Sequence, residues 1–365
     1  MTAAIRDAVI LTSEDDATRR IAGVPLLLRT VLVLQRSGVE RCTVVGPGPT
    51  PRDPRIRCAV TSATRLAPAS DDTLRLVLDP GSVVDEAFVR DLQRRAQPGQ
   101  AIAFSADGVR VRVVPGTHLL DDGAGGGARP RAGTLTSASI PPAQLEQALL
   151  RALENPRDGY IDRLLYRHLS RPLTRLLLRT SLTPNAVTVI GVAIGIVGGL
   201  AIGAESEIGI LGGVLALVLS GVLDCCDGEI ARIKLTESKL GHVLDVTGDT
   251  LVHVALLTGI AMRLAKVAAW PGSATLGLLA FGVIASFAAI TWSEQTEARR
   301  HAVGAWENRV LESVLSPLTT RDWHVFPVAF ALAGRLDQLV PAAAWGAQAF
   351  WITVVVLVWR VLRRA

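Results

Sequence analysis

Lysine is almost missing from this chain: of 38 basic residues, only Lys234, Lys239 and Lys266 are not arginine. Cysteine is scarce too. Cys42, Cys58, Cys225 and Cys226 have the spacing of neither a disulfide framework nor a zinc site. The adjacent Cys225 and Cys226 read as apolar filler. The opening MTAAIRDAVILTSEDD lacks a basic segment followed by a long apolar core. No signal peptide is therefore expected, and the N-terminal region is expected in the cytoplasm. No nucleic-acid recognition motif accompanies the net charge of +5, so no nucleic-acid partner is expected. Arginines cluster beside apolar stretches instead, which assigns the basic balance to a membrane surface or to anionic substrates.

What the chain does have is apolar residues, 49% of the total, with a mean hydropathy of +0.37. They are unevenly spread. The first part has the composition of an ordinary soluble domain, and the second carries long apolar runs broken by short polar loops. The expected division is a cytoplasmic domain over 1–150 and a membrane domain over 151–365.

In the first part, Ala8–Thr12, Cys42–Val45 and Leu74–Leu78 are candidate strands, and Pro25–Ser37 and Asp85–Arg95 candidate helices. Their alternation predicts a parallel-sheet α/β domain. The glycine-rich stretch Asp121–Gly127 is expected as a surface loop. In the second part, Tyr160–Thr183 spaces leucines at helical intervals among Arg163, Arg167, Arg171 and Arg175. That pattern predicts an amphipathic helix in the membrane interface. Six apolar spans follow, near 186–203, 207–223, 243–262, 274–292, 324–340 and 342–359. The basic segments 151–179, 232–239, 294–321 and 360–364 share one side of such a bundle. The positive-inside rule then places both termini in the cytoplasm. The expected fold class is an α/β soluble domain plus an all-α polytopic membrane domain with six transmembrane helices and a juxtamembrane amphipathic helix.

Between the second and third spans the chain reads LDCCDGEIARIKLTESKLGHVLDVTGDT. Four carboxylates at the edge of apolar segments are costly. Asp224 and Asp227 are spaced to share a helix face, and so are Asp245 and Asp249. Gly228 and Gly241 leave room for a close approach. Facing pairs would form an all-oxygen site suited to Mg2+, Mn2+ or Ca2+ rather than zinc. Arg232, about two turns beyond Asp224 on the same side, is the expected partner of a phosphate. Such a set suits phosphoryl-type transfer. The alternative is a buried ion-pair cluster that only locks helices together, although Arg232 is the sole cation on a shared face.

The spacing D-x2-D-G-x2-A-R-x8-G-x3-D-x3-D resembles the signature of the CDP-alcohol phosphotransferase family at every fixed position. The likeness extends to Asp158-Gly-Tyr160 and Thr183–Thr188 and covers about 155–365. It implies that Asp224, Asp227 and Asp245 bind metal, and that Asp249 is the catalytic base and also a metal ligand. Gly228, Ala231, Arg232 and Gly241 would line the CDP site, with Pro184 and Asn185 at the nucleotide. The implied cofactor is Mg2+ or Mn2+, two ions, and the implied state is a homodimer with a polar cavity open to the cytoplasm. Arg299 and Arg321 are candidate acceptor-binding residues.

The first domain resembles sugar-nucleotide and inositol-phosphate nucleotidyltransferases through Thr18-Arg19, Gly23, Pro25 and Leu26. It departs from them at Val24, where that family has lysine, and in the loop Ser13–Ala17, which has no glycine and three consecutive acids. A triphosphate needs approaching backbone N–H groups and positive charge. The domain is thus expected to be degenerate. The fused arrangement resembles enzymes that make di-inositol phosphate compounds and favours an inositol-phosphate acceptor. Both CDP-diacylglycerol and a soluble CDP-alcohol remain as donors, and glycerol phosphate as another acceptor. A membrane scaffold with the soluble domain as a docking or regulatory module is the alternative from a different class.

Overall fold

Apolar runs too short for helices become strands around which the first unit is built. In the computed structural model, which describes residues 5–65, 73–97, 100–115, 133–153, 165–204, 206–266, 271–296, 310 and 325–363, the chain forms two compact units. One is Met1–Glu154 together with Ala231–Thr236, and the other Asn155–Ile230 with Glu237–Ala365.

The first unit opens with β1 (Asp7–Leu11), α1 (Glu14–Thr18), the short β2 (Arg20–Ile21) and β3 (Val24–Pro25), then α2 (Leu26–Arg36) and β4 (Arg41–Val45). It continues through β5 (Ala59–Ala63), β6 (Leu74–Leu78), β7 (Ser82–Val84), α3 (Glu86–Arg95), β8 (Ile102–Ala106), β9 (Val109–Pro115), β10 (Leu135–Ser137) and α4 (Pro142–Ala152). The main sheet has the order β5-β4-β1-β6-β9-β8. Its first four strands are parallel, as expected from the alternation, but β9 runs antiparallel to both β6 and β8. The expectation of a purely parallel sheet is corrected here. The cause is a two-residue hairpin at Asp107-Gly108, both with positive φ (50° and 80°), the turn whose twist matches paired strands. The core is apolar side chains of both sheet and helices, with Phe88 and Phe104 edge to face at 5.9 Å.

The segment Ala231–Thr236 ends a helix by a reciprocal pair of bonds: Thr236 N–H donates to Ala231 O and Leu235 N–H to Arg232 O. Leu235 takes the left-handed position, φ 54°, where glycine is usual. That conformation costs about 1–2 kcal/mol, and burial of its side chain in the apolar core returns about 2 kcal/mol. Arg29, buried in this unit, donates to Ile233 O at 2.5 Å, and Arg55 to the carbonyls of Lys234 and Leu235 at 3.2 Å. These are carbonyls a helix end leaves without an internal partner. Desolvation, partly offset by Asp85, lowers the Arg29 pKa to about 10, so the side chain stays cationic at neutral pH.

The second unit is helical: α5 (Arg167–Leu178), α6 (Pro184–Ala201), α7 (Glu207–Lys234, whose last residues belong to the first unit), α8 (Lys239–Lys266), α9 (Ser273–Gln295), α10 (Val325–Leu332) and α11 (Leu336–Leu362). Five of these, α6 to α9 and α11, are long and apolar enough to cross a membrane. The expected span 324–340 is not one helix. α10 stops at a glycine cap, with Gly334 at φ 66° and Arg335 N–H donating to Phe330 O, and α11 then runs on through Pro341. The break at Gly334 thus lies seven residues before the expected one at 341, because glycine supplies the left-handed cap while a proline near a helix start is tolerated. Large apolar side chains such as Ile208, Ile284 and Phe287 face outward, as lipid-facing residues do. α5 also turns apolar residues outward, Leu165 just before it and Leu169 and Leu176 within it, and buries Ser170 and Thr174.

Close packing in the second unit depends on a glycine row that the span assignment passed over. A Cβ at Gly195 would meet Ser220 Oγ of α7 at 2.5 Å and Val252 of α8 at 2.6 Å; one at Gly199 would meet Leu256 N at 2.6 Å; one at Gly259 would run into the Gly199 carbonyl. α6 is thereby wedged against both α7 and α8. Gly259→Val is expected to destabilise the bundle by about 1–3 kcal/mol. Gly277→Ala, where a Cβ meets nothing within 4 Å, is expected to be neutral. Thermal unfolding of both variants in detergent checks this, and equal behaviour of the two would refute the packing account.

Candidate active site

Two neighbouring helices carry the acidic residues. Asp224 and Asp227 lie on α7, Asp245 and Asp249 on α8, and α6 packs against both through its glycines. A Cβ at Gly191 would touch Leu223 Cβ at 3.2 Å, and Gly248 faces Val192. These contacts hold α6 level with the acidic turns. One carboxylate oxygen each from Asp224, Asp227 and Asp245 lies within 4.8 Å of the others. Asp249 follows one turn along α8 and is outside that group. Asp227 is buried, and Thr188 Oγ1 of α6 donates to its Oδ2 at 2.5 Å.

The α6 entrance is ordered by the backbone. Thr183 Oγ1 accepts from Ala186 N–H at 3.2 Å, and Pro184 occupies the first turn, where its missing N–H costs nothing. Asn185 is brought beside Gly241, where a Cβ would stand 3.3 Å from Asn185 Oδ1. Gly228 follows Asp227 on α7, and Ala231 and Arg232 lie at the end of that helix, in the segment assigned to the first unit. Arg299 and Arg321 lie outside the described residues.

Two features at this site were not singled out from sequence. Thr188 holds Asp227. On the other side of α7, Glu229 is 1% exposed and accepts from Arg167, Ser170 and Thr174 of α5. Serine and threonine on the buried side of a helix with outward leucines were the available signal.

Three carboxylate oxygens without nitrogen or sulfur among them form a donor set for a hard divalent cation. Three like charges so close are also favoured by such a cation. The residues therefore fit the metal that the motif implies.

In the first unit, the loop that follows β1 is closed by its own acid. Asp16 Oδ2 accepts from Ser13 N–H at 2.9 Å and from Gly81 N–H at 3.0 Å. Asp79 is held by Arg112 Nη2 at 2.6 Å. Both line the same small pocket at the ends of β1 and β6.

Residues 181–363 match the family model described as CDP-alcohol phosphatidyltransferase. Among curated relatives, a bifunctional IPC transferase and DIPP synthase of Aquifex aeolicus is 28% identical over 210 residues, 57% of this chain and 46% of that protein. A protein of the same name from Thermococcus kodakarensis is 34% identical over 128 residues, 35% of this chain and 28% of the relative. A phosphatidylinositol phosphate synthase of Mycobacteroides abscessus is 30% identical over 103 residues, 28% of this chain and 46% of the relative. The chain thus spans less than half the length of these relatives. With the matched segment holding the whole aspartate motif on two packed helices, the chain belongs to the CDP-alcohol phosphatidyltransferase family.

Proposed function

We propose that this protein transfers a substituted phosphate group from a CDP-linked donor to a hydroxyl acceptor, an inositol phosphate by preference, and releases CMP. The observation that carries this is the convergence of Asp224, Asp227 and Asp245 within 4.8 Å, inside the family's motif. The name of the mycobacterial relative, phosphatidylinositol phosphate synthase, supports the choice of acceptor. The protein acts as an integral membrane enzyme and a homodimer, with both termini and the site on the cytoplasmic side.

Asp224, Asp227 and Asp245 would hold Mg2+ or Mn2+, two ions with Asp249 as a further ligand. Bound metal supplies neutralisation of the pyrophosphate charge. Asp249 takes the proton of the acceptor hydroxyl as its oxygen bonds to the donor's β-phosphorus. The phosphoanhydride bond breaks, and CMP leaves with the bonding electrons. Arg232 pairs with donor phosphate, Gly228 and Gly241 keep the CDP groove open, and Asn185 stands at its rim beside Gly241. Thr188 keeps Asp227 aimed.

Purified protein in detergent, given CDP-diacylglycerol or CDP-inositol with inositol 1-phosphate, is expected to release CMP from one of them only when Mg2+ is present. Asp249→Asn should lower the rate by about 100-fold or more. Absence of CMP from every CDP-alcohol tried would overturn this assignment.

The first domain does not make the donor. Asp16 takes the backbone N–H groups of Ser13 and Gly81, the kind of donors a nucleotide phosphate would need. Adding millimolar CTP at constant Mg2+ should leave the unfolding temperature of the first domain unchanged, and Asp16→Ala should cost about 1 kcal/mol through loss of the cap. Saturable CTP binding by the wild-type chain would contradict it.

A further inference from the structure

Outside the aspartate cluster, the most completely enclosed charge among the described residues of the second unit is Glu229, at one of the two variable positions between Gly228 and Ala231. Its family position assigns it nothing. Both its oxygens are engaged. Oε1 accepts from Arg167 Nη1 at 2.8 Å and Ser170 Oγ at 2.9 Å, and Oε2 from Thr174 Oγ1 at 2.6 Å. Arg167, Ser170 and Thr174 share one face of α5. The same contact continues along α7. Cys226 Sγ lies 3.6 Å from Ser170 O, and Gly221 makes room for the Tyr166 ring, which a Cβ there would meet at 2.7 Å.

At about 100° per residue, Glu229 stands about 140° from Asp224 and about 160° from Asp227 around α7. The helix thus has two polar edges. One carries the aspartates toward α6 and α8, and the opposite one is latched to α5. A carboxylate with a charged partner and two hydroxyls cannot turn without losing several bonds at once. A buried ion pair of this kind specifies an arrangement better than it stabilises one.

We propose that Glu229 is a positioning residue: latched to Arg167, Ser170 and Thr174, it fixes the rotation of α7 and so aims Asp224 and Asp227 at the metal. This role presupposes that the carboxylates bind metal, as proposed above. It makes α5, the helix with its leucines turned outward, part of the support of the metal site.

The test is Mn2+ binding by the full chain in detergent, followed by electron paramagnetic resonance, on folded protein collected by gel filtration. Glu229→Gln is expected to weaken Mn2+ binding about tenfold, the scale seen when groups that orient metal ligands are altered. The metal concentration for half-maximal CMP release should rise to match. Gln348→Leu, which breaks a polar contact between α9 and α11, should leave Mn2+ affinity unchanged while lowering stability. If Glu229→Gln does not fold, the double variant Ser170→Ala/Thr174→Val, which keeps the Arg167 pair, should weaken Mn2+ severalfold. Wild-type affinity in a folded latch variant would overturn the proposal, and so would absence of Mn2+ binding by the wild type. Mn2+ binding that depends on Glu229, in a protein that releases no CMP, would uphold the latch and sink only the reaction.

Discussion

Mutual repulsion of the clustered carboxylates is the constraint that the helical unit is organised around. Two full charges 4.8 Å apart repel by about 3.5 kcal/mol at an effective dielectric of about 20, and the cluster contains three such pairs. No helix propensity offsets a cost of that size. The surrounding backbone holds the acids together, and their oxygens suit a divalent cation. Each device near the cluster serves that end. Thr188 gives Asp227 a hydrogen bond on the α6 side. Gly191 and Gly195 let α6 lie close enough for that bond to form. Glu229 holds the far side of α7.

The helices meet through absent side chains. In an apolar bundle lipid competes equally well for leucine, so burial of leucine alone does not choose a partner helix. Close backbone approach does. Gly199 and Gly259 put two backbones in contact where any side chain would separate them, and that contact sets the distance between α6 and α8. The spacing of Asp245 from the α7 acids follows from it. Gly259, about four turns along α8 from Asp245, therefore bears on the carboxylate cluster through helix separation.

Much of this was legible in the sequence, for identifiable reasons. The aspartate motif declares itself because charge beside long apolar runs has few explanations. Leu74–Leu78 and the α2 and α3 helices were legible from periodicity and from Asp85, whose side chain caps Phe88 N–H. The β8–β9 hairpin was legible in principle: Asp107-Gly108 between alternating apolar residues is a strong turn signal, but regular strand–helix alternation before it suggested a parallel sheet throughout. The division of the last apolar region was expected between the spans 324–340 and 342–359 and was misplaced. Gly334, with its left-handed conformation, ends the helix instead. The α5 latch left only a weak signal in the sequence, Ser170 and Thr174. Together with Arg167 they read as the solvated face of an amphipathic helix until a buried glutamate on another helix is known to meet them.

The first domain places Asp16 and Asp79 in one small pocket at the ends of β1 and β6 and engages both from within the chain. Asp16 is not merely an acid that repels phosphate. It takes backbone donors of the kind that would recognise one, and Arg112 is drawn to Asp79. The domain retains a mechanical task that it performs within its own unit: Arg29 and Arg55 bind the last carbonyls of the segment ending at Thr236, and Leu235 is fixed in its core. That segment begins with Ala231 and Arg232 of the motif. Those contacts involve none of the residues that line the Asp16 and Asp79 pocket.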